Sequence, residues 1–274
     1  GLGLFRLLNE YLDIPRGFSL IAGLLYSVVV QVQPNNIPQV VFNYAFPIFF
    51  VWFLDLFKNV SLKKKIIPLA GLNLLLLISY PVLTLPYYPL LHLAMILFVV
   101  SPGKLPEGRN SLLVKSCIVW FGYILMNFPV LYSLWDYIPL AVKKVGHTVS
   151  LQIKSIEMFE DFAAQSLNLF SSVTANTMML IPFIGGIAFI LWSKVLRNLY
   201  ILWFVVFFIT VYFTSKISTV LKDSILLKMD LSHFSWILPF LSMIITVASI
   251  NIIIERKRPP STYKVFLAIS FLVL

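Results

Sequence analysis

The sequence predicts an all-α membrane protein: a polytopic bundle of about eight or nine transmembrane helices with an amphipathic helix at its outer surface. Three observations indicate this fold class. The 274 residues are 59% hydrophobic and 12% charged, which is more apolar and less charged than a soluble domain. Apolar runs of about the length that spans a bilayer recur along the chain. Short basic clusters separate many of these runs, as the positive-inside rule predicts.

The formal net charge of +10 does not indicate nucleic-acid binding. The basic residues form short clusters between apolar runs, whereas a nucleic-acid interface would show a continuous basic face. The expected partners are the lipid bilayer and other membrane or envelope proteins. The one cysteine, Cys117, excludes an intrachain disulfide and is interpreted as a small buried hydrophobe. The three histidines are far apart in sequence, so their spacing assigns no cofactor.

The first half of the chain predicts a cytoplasmic lead-in followed by five spans. Residues 1–17 form the lead-in, which is short and amphipathic. Basic segments, or segments rich in proline and glycine, follow most of the apolar runs and break helices there. The spans are expected at about residues 18–33, 38–57, 66–84, 87–101 and 113–135, with a tight turn at 85–89.

The second half predicts three complete spans and one incomplete span. The complete spans lie at about residues 172–192, 198–215 and 232–254, and a final apolar run begins at about 264. That run has about ten apolar positions, whereas spanning takes roughly twenty. We therefore expect residues 1–274 to form a single membrane domain of a chain that continues beyond residue 274.

The basic residues predict the orientation of the bundle. With the N-terminus inside, fifteen of the 21 lysines and arginines fall on the cytoplasmic side. This distribution favours a cytoplasmic N-terminus, and a bacterial inner membrane is the expected location. The six basic residues on the outer side are Lys143, Lys144, Lys154, Lys216, Lys222 and Lys228.

Residues 136–170 contain seven charges and are not predicted to span. Apolar residues recur there in steps of three and four, which indicates one stripe of an α-helix in the outer interface. This extracytoplasmic amphipathic segment either docks a partner or shapes a surface site, or it simply connects two spans. The stripe comprises Val142, Val145, Val149, Ile153, Ile156, Phe159, Ala163, Leu167 and Phe170.

The same segment contains the candidate site residues. Glu157, Glu160 and Asp161 share a helix face, where they either bind a divalent cation or form a solvated acidic patch. Asp136 and His147 are the candidates for catalysis, as a proton relay. No serine or cysteine nucleophile motif accompanies them, and the sequence has no GxSxG, HExxH or P-loop motif.

Few ionisable residues lie within the predicted spans, where they are functional candidates by default. Asp55 is expected to pair with Lys58, three residues later, and His92 lies within the fourth span. Pro182 and the following Gly185–Gly186 interrupt the sixth span, as a packing kink or as part of a binding site. Interhelical hydrogen bonds are expected from Asn43, Asn73, Asn127 and Asn251.

From about residue 75 to 205, the order of features resembles the N-terminal membrane domain of the bacterial cellulose phosphoethanolamine transferases. The resemblance is carried by residues 88–93 (Tyr-Pro-Leu-Leu-His-Leu), the loop 102–109, residues 134–139 (Leu-Trp-Asp-Tyr-Ile-Pro), residues 159–162 (Phe-Glu-Asp-Phe) and residues 190–197 (Ile-Leu-Trp-Ser-Lys-Val-Leu-Arg). It implies a membrane anchor and docking module in envelope polysaccharide synthesis or modification. The chain continues with further spans where that family enters its catalytic domain, so no catalytic residue is implied.

Two other functions stay open. A transporter or channel subunit would need a polar path, for which Asn43, Asn127, His92 and the Pro182 interruption are the candidates. A membrane-embedded transferase acting on a lipid-linked substrate would use Asp136, His147 or the carboxylates of the amphipathic segment.

Overall fold

The computed structural model is all-helical, and no strand occurs among the residues that it describes. The predicted all-α fold class is therefore confirmed for this part of the chain. The described residues are 1–29, 37–58, 61, 64–65, 68, 71, 81–98, 109–126, 128–129, 132–133, 155–174, 184–187, 190–191, 193–215, 217, 234–235 and 237–255.

Most of the described residues lie in helices that fall on the predicted apolar runs. The first helix, α1, continues without a break as a π-helical turn. The elements are α1 (Leu2–Arg6), the π-helical turn (Leu7–Tyr11), α2 (Arg16–Val29), α3 (Ile37–Asp55), α4 (Pro81–Phe98), α5 (Arg109–Met126), α6 (Ser155–Thr174), α7 (Lys194–Thr214) and α8 (Leu238–Glu255).

Helix α1 and its π-helical turn pack inside the bundle. Leu4, Leu7, Leu8 and Tyr11 are almost fully buried, and α1 lies against α2 and α3. The amphipathic pattern that predicted a lead-in is therefore the pattern of a helix with one face in the core. An apolar face in the sequence does not by itself show whether protein or a membrane surface covers it.

The segment after α1 reverses the chain, so that α1 and α2 form a helical hairpin. The Ile14 N–H donates to the Leu8 carbonyl at 3.0 Å, and Asp13 takes a left-handed φ of 57°. Helix α2 then returns along α1, because its Gly23 lies beside Gly1. The start of α2 consequently lies at the same end of the bundle as the end of the π-helical turn.

Helix α1 approaches α3 at a position that only glycine fits. A Cβ atom on Gly3 would collide with the backbone of Pro47 and Ile48. Backbone atoms cannot rotate out of the way as the end of a flexible side chain can. Glycine at this position therefore lets the two helices pack backbone against backbone.

Helix α8 lies deepest in the bundle. From Ile237 to Ser249 every residue except Pro239 is buried, and α2, α6 and α7 pack against the helix. Phe240 of α8 makes edge-to-face contacts with Tyr26 of α2 and with Phe46 of α3, at centroid distances of 5.9 and 5.5 Å. A helix that is apolar all round is typical of such a central position.

The indole of Trp203 links α7 to α8. Its Nε1–H donates to Ser242 Oγ at 2.9 Å, and its ring packs edge-on against Phe170 of α6 at 6.3 Å. Both polar groups are buried, so each satisfies the other. Helices α6, α7 and α8 therefore form one packed unit around Trp203.

Helix α4 runs from Pro81 to Phe98 without interruption, so the predicted turn at residues 85–89 is wrong. That prediction depended on Pro86 and Pro89. A proline removes one helical hydrogen bond, but its fixed φ is close to the helical value. Membrane helices tolerate such prolines where neighbouring groups satisfy the carbonyls that lose their partners.

Helix α6 confirms that the later part of the amphipathic segment is helical. Of the predicted stripe, Phe170 packs against the core, whereas Phe159 and Leu167 are 72% and 71% exposed. Phe162 and Leu169 also pack against the core. The packed face is rotated from the predicted stripe because α7 and α8 hold the helix from one side. Residues 136–154 lie outside the described residues.

Helix α7 is long and apolar enough to cross a membrane, judged by length and composition, and it is the one such helix among the described residues. Ser193 begins it as an N-cap, whose hydroxyl accepts from the Leu196 N–H at 3.3 Å. Shorter apolar helical stretches occur at Ala45–Asp55, Pro89–Phe98, Asn110–Leu125 and Leu238–Ile252. The described residues thus contain one candidate span, and a count of eight or nine spans stays a prediction.

Replacing Gly3 by alanine is expected to destabilise the protein, because the new Cβ would meet the α3 backbone. Overpacking of this kind costs about 1–3 kcal/mol. Gly17→Ala is the matched control, since Gly17 has open space around it and alanine is favoured over glycine in a helix. Thermal unfolding in detergent should give a lower Tm for Gly3→Ala only. Equal Tm values for the two variants would contradict the close approach.

Candidate functional site

Four charged side chains meet where the π-helical turn lies beside the end of α3. We call this group the charge ring; it comprises Arg6, Glu10, Asp55 and Lys58. Arg6 lies 2.7 Å from Glu10 and 3.0 Å from Asp55. Lys58 lies 2.8 Å from Glu10 and 2.7 Å from Asp55. Each cation therefore contacts both carboxylates, and the formal charges of the ring cancel.

Tyr11 covers the charge ring from the core. Its hydroxyl donates to Asp55 Oδ1 at 3.0 Å, and the Lys58 ammonium lies 4.9 Å from the centroid of its ring. The side chain is buried, so the phenol supplies Asp55 with a hydrogen bond that water would otherwise make. The contact with Lys58 adds a cation–π attraction.

Half of the charge ring follows from helical spacing. Arg6 and Glu10 are four residues apart, and Asp55 and Lys58 are three apart, so each pair shares a helix face. The predicted pairing of Asp55 with Lys58 is confirmed at 2.7 Å. Arg6, Glu10 and Tyr11 were not predicted to contact Asp55 and Lys58. The spacing of Arg6 and Glu10 was the available signal, but their contact with α3 depends on where α1 packs.

The surroundings of the charge ring shift its pKa values in directions that preserve it. Hydrogen bonding from Arg6 lowers the pKa of the Glu10 carboxyl, and Lys58 acts in the same direction. Burial raises the pKa of the Tyr11 phenol, and the negative charge of Asp55 raises it further. Glu10 therefore stays ionised and Tyr11 stays a neutral donor. The arrangement is suited to holding α1 against α3, and it offers no activated nucleophile.

His92 is the second candidate, because it is a fully buried ionisable residue in the middle of α4. Its imidazole packs against Phe46, Phe50 and Phe53 of α3 and against Trp120 of α5. The four centroid distances lie between 4.7 and 5.7 Å. These four described ring contacts are all aromatic.

The acidic candidates lie on α6. Glu157 and Glu160 are exposed and Asp161 is half-buried. Among the described residues, no group of three or more histidine, cysteine or acidic side chains is placed to hold a metal ion. A cation site at these carboxylates therefore gains no support from the structure and stays a prediction. Asp136 and His147, the candidates for catalysis, lie outside the described residues.

Two further residues singled out in the sequence are described by the structure. Cys117 is exposed on α5, so the prediction that it is buried is wrong. A Cβ on Gly186 would collide with the Ser249 side chain and lie 2.5 Å from the Tyr200 hydroxyl oxygen. This contact supports packing as the role of Gly186. Pro182 lies outside the described residues.

The predicted interhelical amides are described only in part. Asn251 is buried on α8, as a residue that hydrogen-bonds between helices would be. Asn73, Asn127 and the side chain of Asn43 lie outside what the structure describes.

Comparisons with known proteins found no counterpart: no family model, no curated protein and no solved structure matches the chain.

Glu10→Gln is expected to lower the free energy of unfolding at pH 7. The variant should also lose less stability than the parent protein when the pH is lowered. The pKa of Glu10 is lowered in the folded protein, so its contribution is present above the ordinary glutamate pKa of about 4.3 and is lost as pH falls through the lower folded value. Because the ring is partly exposed, the loss at pH 7 should be about 0.5–1 kcal/mol.

The measurement is thermal unfolding in detergent between about pH 7 and pH 3, a window set by that carboxyl pKa. The exposed Glu157 on α6 gives the matched control, Glu157→Gln, which should unfold like the parent protein. If Glu10→Gln and the parent lose stability equally on acidification, Glu10 is not held ionised by Arg6 and Lys58.

Proposed function

We propose that this chain is a membrane-embedded anchor and docking module of a bacterial envelope machinery that synthesises or modifies a polysaccharide. In this proposal its helices belong to a bundle of eight or nine spans in the inner membrane, with the charge ring on the cytoplasmic side. The observation that carries the proposal is the apolar outward surface of the described helices.

The outward faces of α2, α5 and α7 are apolar over several turns, apart from Lys115 on α5 and the cations in the first turn of α7. In water, the exposed face of a helix carries charged and polar residues, and large exposed apolar patches are rare. Lipid is the solvent that such faces fit. The exposed apolar residues are Leu20, Ile21, Leu24 and Leu25 on α2, Val114, Ile118, Phe121 and Leu125 on α5, and Ile201, Phe204, Val205 and Phe208 on α7.

The charges of the α1–α3 unit gather at one end, which we propose to be the cytoplasmic end of the bundle. The charge ring lies at the end of α3, and Arg16 begins α2 at the same end of the hairpin. Cationic residues accumulate on the cytoplasmic side of membrane proteins. We therefore assign this end to the cytoplasm.

The described interior of the bundle supports an anchor. The His92 ring packs against Phe46, Phe50, Phe53 and Trp120. The central helix α8 is buried along most of its length. No observation on the described residues favours the transporter or the transferase, so neither is proposed.

The envelope role depends on the sequence resemblance, and the docking role is supported by α6. Phe159 and Leu167 expose most of their surface on a helix that also carries exposed carboxylates. Exposed large apolar side chains framed by polar ones are typical of protein interfaces. Phe159 also belongs to the segment 159–162 that carries part of the resemblance.

Cys117 tests the membrane environment, because it lies on the apolar outward side of α5 beside Ile118. A charged, membrane-impermeant maleimide should leave Cys117 unmodified in native membranes and modify it after denaturation in SDS. Both the charged reagent and the reactive thiolate are energetically unfavourable in hydrocarbon, so the reaction should not occur there. The control is Lys64→Cys in a Cys117→Ser background, since Lys64 is exposed beyond α3.

The control variant should react in inside-out vesicles and not in intact spheroplasts. Modification of Cys117 in native membranes as fast as the Lys64→Cys control would exclude a lipid-facing α5. Reaction of Lys64→Cys from the outer side only would reverse the proposed orientation.

Photo-crosslinking tests the docking role. A benzophenone amino acid at Phe159 should crosslink in cells to an enzyme of envelope polysaccharide synthesis or modification, because this position is 72% exposed. The same amino acid at Phe162, which packs against the core, should give crosslinks within the chain. If Phe159 yields lipid adducts alone, α6 does not dock a protein and the proposed function fails.

A further inference from the structure

The outward face of α7 combines two cations with an apolar strip. Lys194 and Arg197 are exposed, three residues apart, in the first turn of the helix. Residues at this spacing are neighbours on a helix surface. Ile201, Val205 and Phe208 continue the same face at steps of four and three, and they are 40–53% exposed together with Phe204. We call this face the α7 strip.

The charges of the α7 strip are not balanced by its own helix. No acidic residue occurs within α7, and no ion pair within the described part of the chain involves Lys194 or Arg197. This differs from the charge ring, in which Arg6 and Lys58 each contact two carboxylates. The α7 strip therefore presents two cations that can bind an external anion.

We propose that the α7 strip binds an anionic phospholipid, with its phosphate at Lys194 and Arg197 and an acyl chain along Ile201, Val205 and Phe208. This inference rests on the proposed location in a membrane. Charge complementarity selects the headgroup, since arginine offers two parallel donors to phosphate and lysine a mobile point charge. The apolar part of the strip requires that the anion carry hydrocarbon.

The length of the α7 strip matches one leaflet. From Arg197 to Phe208 the helix rises about 16 Å at about 1.5 Å per residue. Half of a bilayer core of about 30 Å is about 15 Å. Beyond Phe208 the outward residues from Ile209 to Phe213 are at most half-exposed. The exposed apolar part therefore ends about where an acyl chain of that leaflet ends.

The experiment uses the purified chain in a neutral detergent, titrated with palmitoyl-oleoyl phosphatidylglycerol or with the zwitterionic phosphatidylcholine of the same chains. Native mass spectrometry gives the two Kd values. The parent protein should bind phosphatidylglycerol at least tenfold more tightly. Each juxtamembrane cation contributes about five-fold in affinity for anionic lipid, so Lys194→Gln with Arg197→Gln should weaken that binding on the order of 25-fold. Binding of phosphatidylcholine should not change.

The matched control is Lys64→Gln with Lys65→Gln, which removes the same charge from a position outside α7. It should weaken phosphatidylglycerol binding less than about three-fold, well below the loss expected from two lipid-facing cations. Equal losses in both double variants would show a diffuse charge effect and overturn the proposal. Inorganic phosphate in the millimolar range should not displace the lipid; full displacement would show a site for free phosphate.

Two readings separate this inference from the proposed function. Both double variants should keep the Tm of the parent in lipid-free detergent, since the substituted residues lie outside the core. If Cys117 of the parent protein is protected from maleimide but the protein binds both lipids equally, the membrane location stands and the lipid site is excluded. Rapid maleimide modification at Cys117 would instead remove the membrane location itself.

Discussion

Contact between α1 and α3 is the constraint on which the described bundle depends. The apolar residues of α1 are buried, but hydrophobic burial is non-directional and would allow the helices to slide past each other. Gly3 sets the distance between the two backbones, because no side chain fits there. The charge ring sets their position along the axis, because alternating charges match in one register only.

The charge ring contributes more to specificity than to net stability. Its side chains are between 16% and 35% exposed, a setting in which ion pairs contribute little after desolvation and loss of side-chain freedom. Removing one member is more costly than removing a matched pair, since it leaves a partly buried charge without a neighbour. The ring thereby excludes alternative placements of α1, and α2 follows through the short turn at Asp13.

The sequence predicted where most helices lie, but it did not predict which parts of the protein pack against them. Apolar runs located α2, α3, α7 and α8, because a run of such length is stable only as a helix in lipid or in a core. The charge pairs at spacings of three and four could also be found, as Asp55 and Lys58 show. These features are local, so periodicity is sufficient to detect them.

The features that the sequence missed depend on contacts between distant segments. Residues 1–17 carry one amphipathic pattern whether they lie on a membrane or in a core, and the structure places α1 in the core. The prolines of α4 looked like turn residues because proline removes a helical hydrogen bond, yet its fixed φ is compatible with a helix. The rotation of α6 away from its predicted stripe likewise follows from its packing on α7 and α8. Burial of His92 among α3 and α5 aromatics is invisible without their positions.

The charge ring also has a consequence for the timing of biosynthesis. Arg6 and Asp55 are 49 residues apart in the chain, and translation proceeds at about 5–20 residues per second, so the two groups are separated by about 2–10 s of synthesis. During that interval Arg6 of α1 and Glu10 of the π-helical turn can neutralise each other. The arrival of α3 then converts this local ion pair into the closed ring.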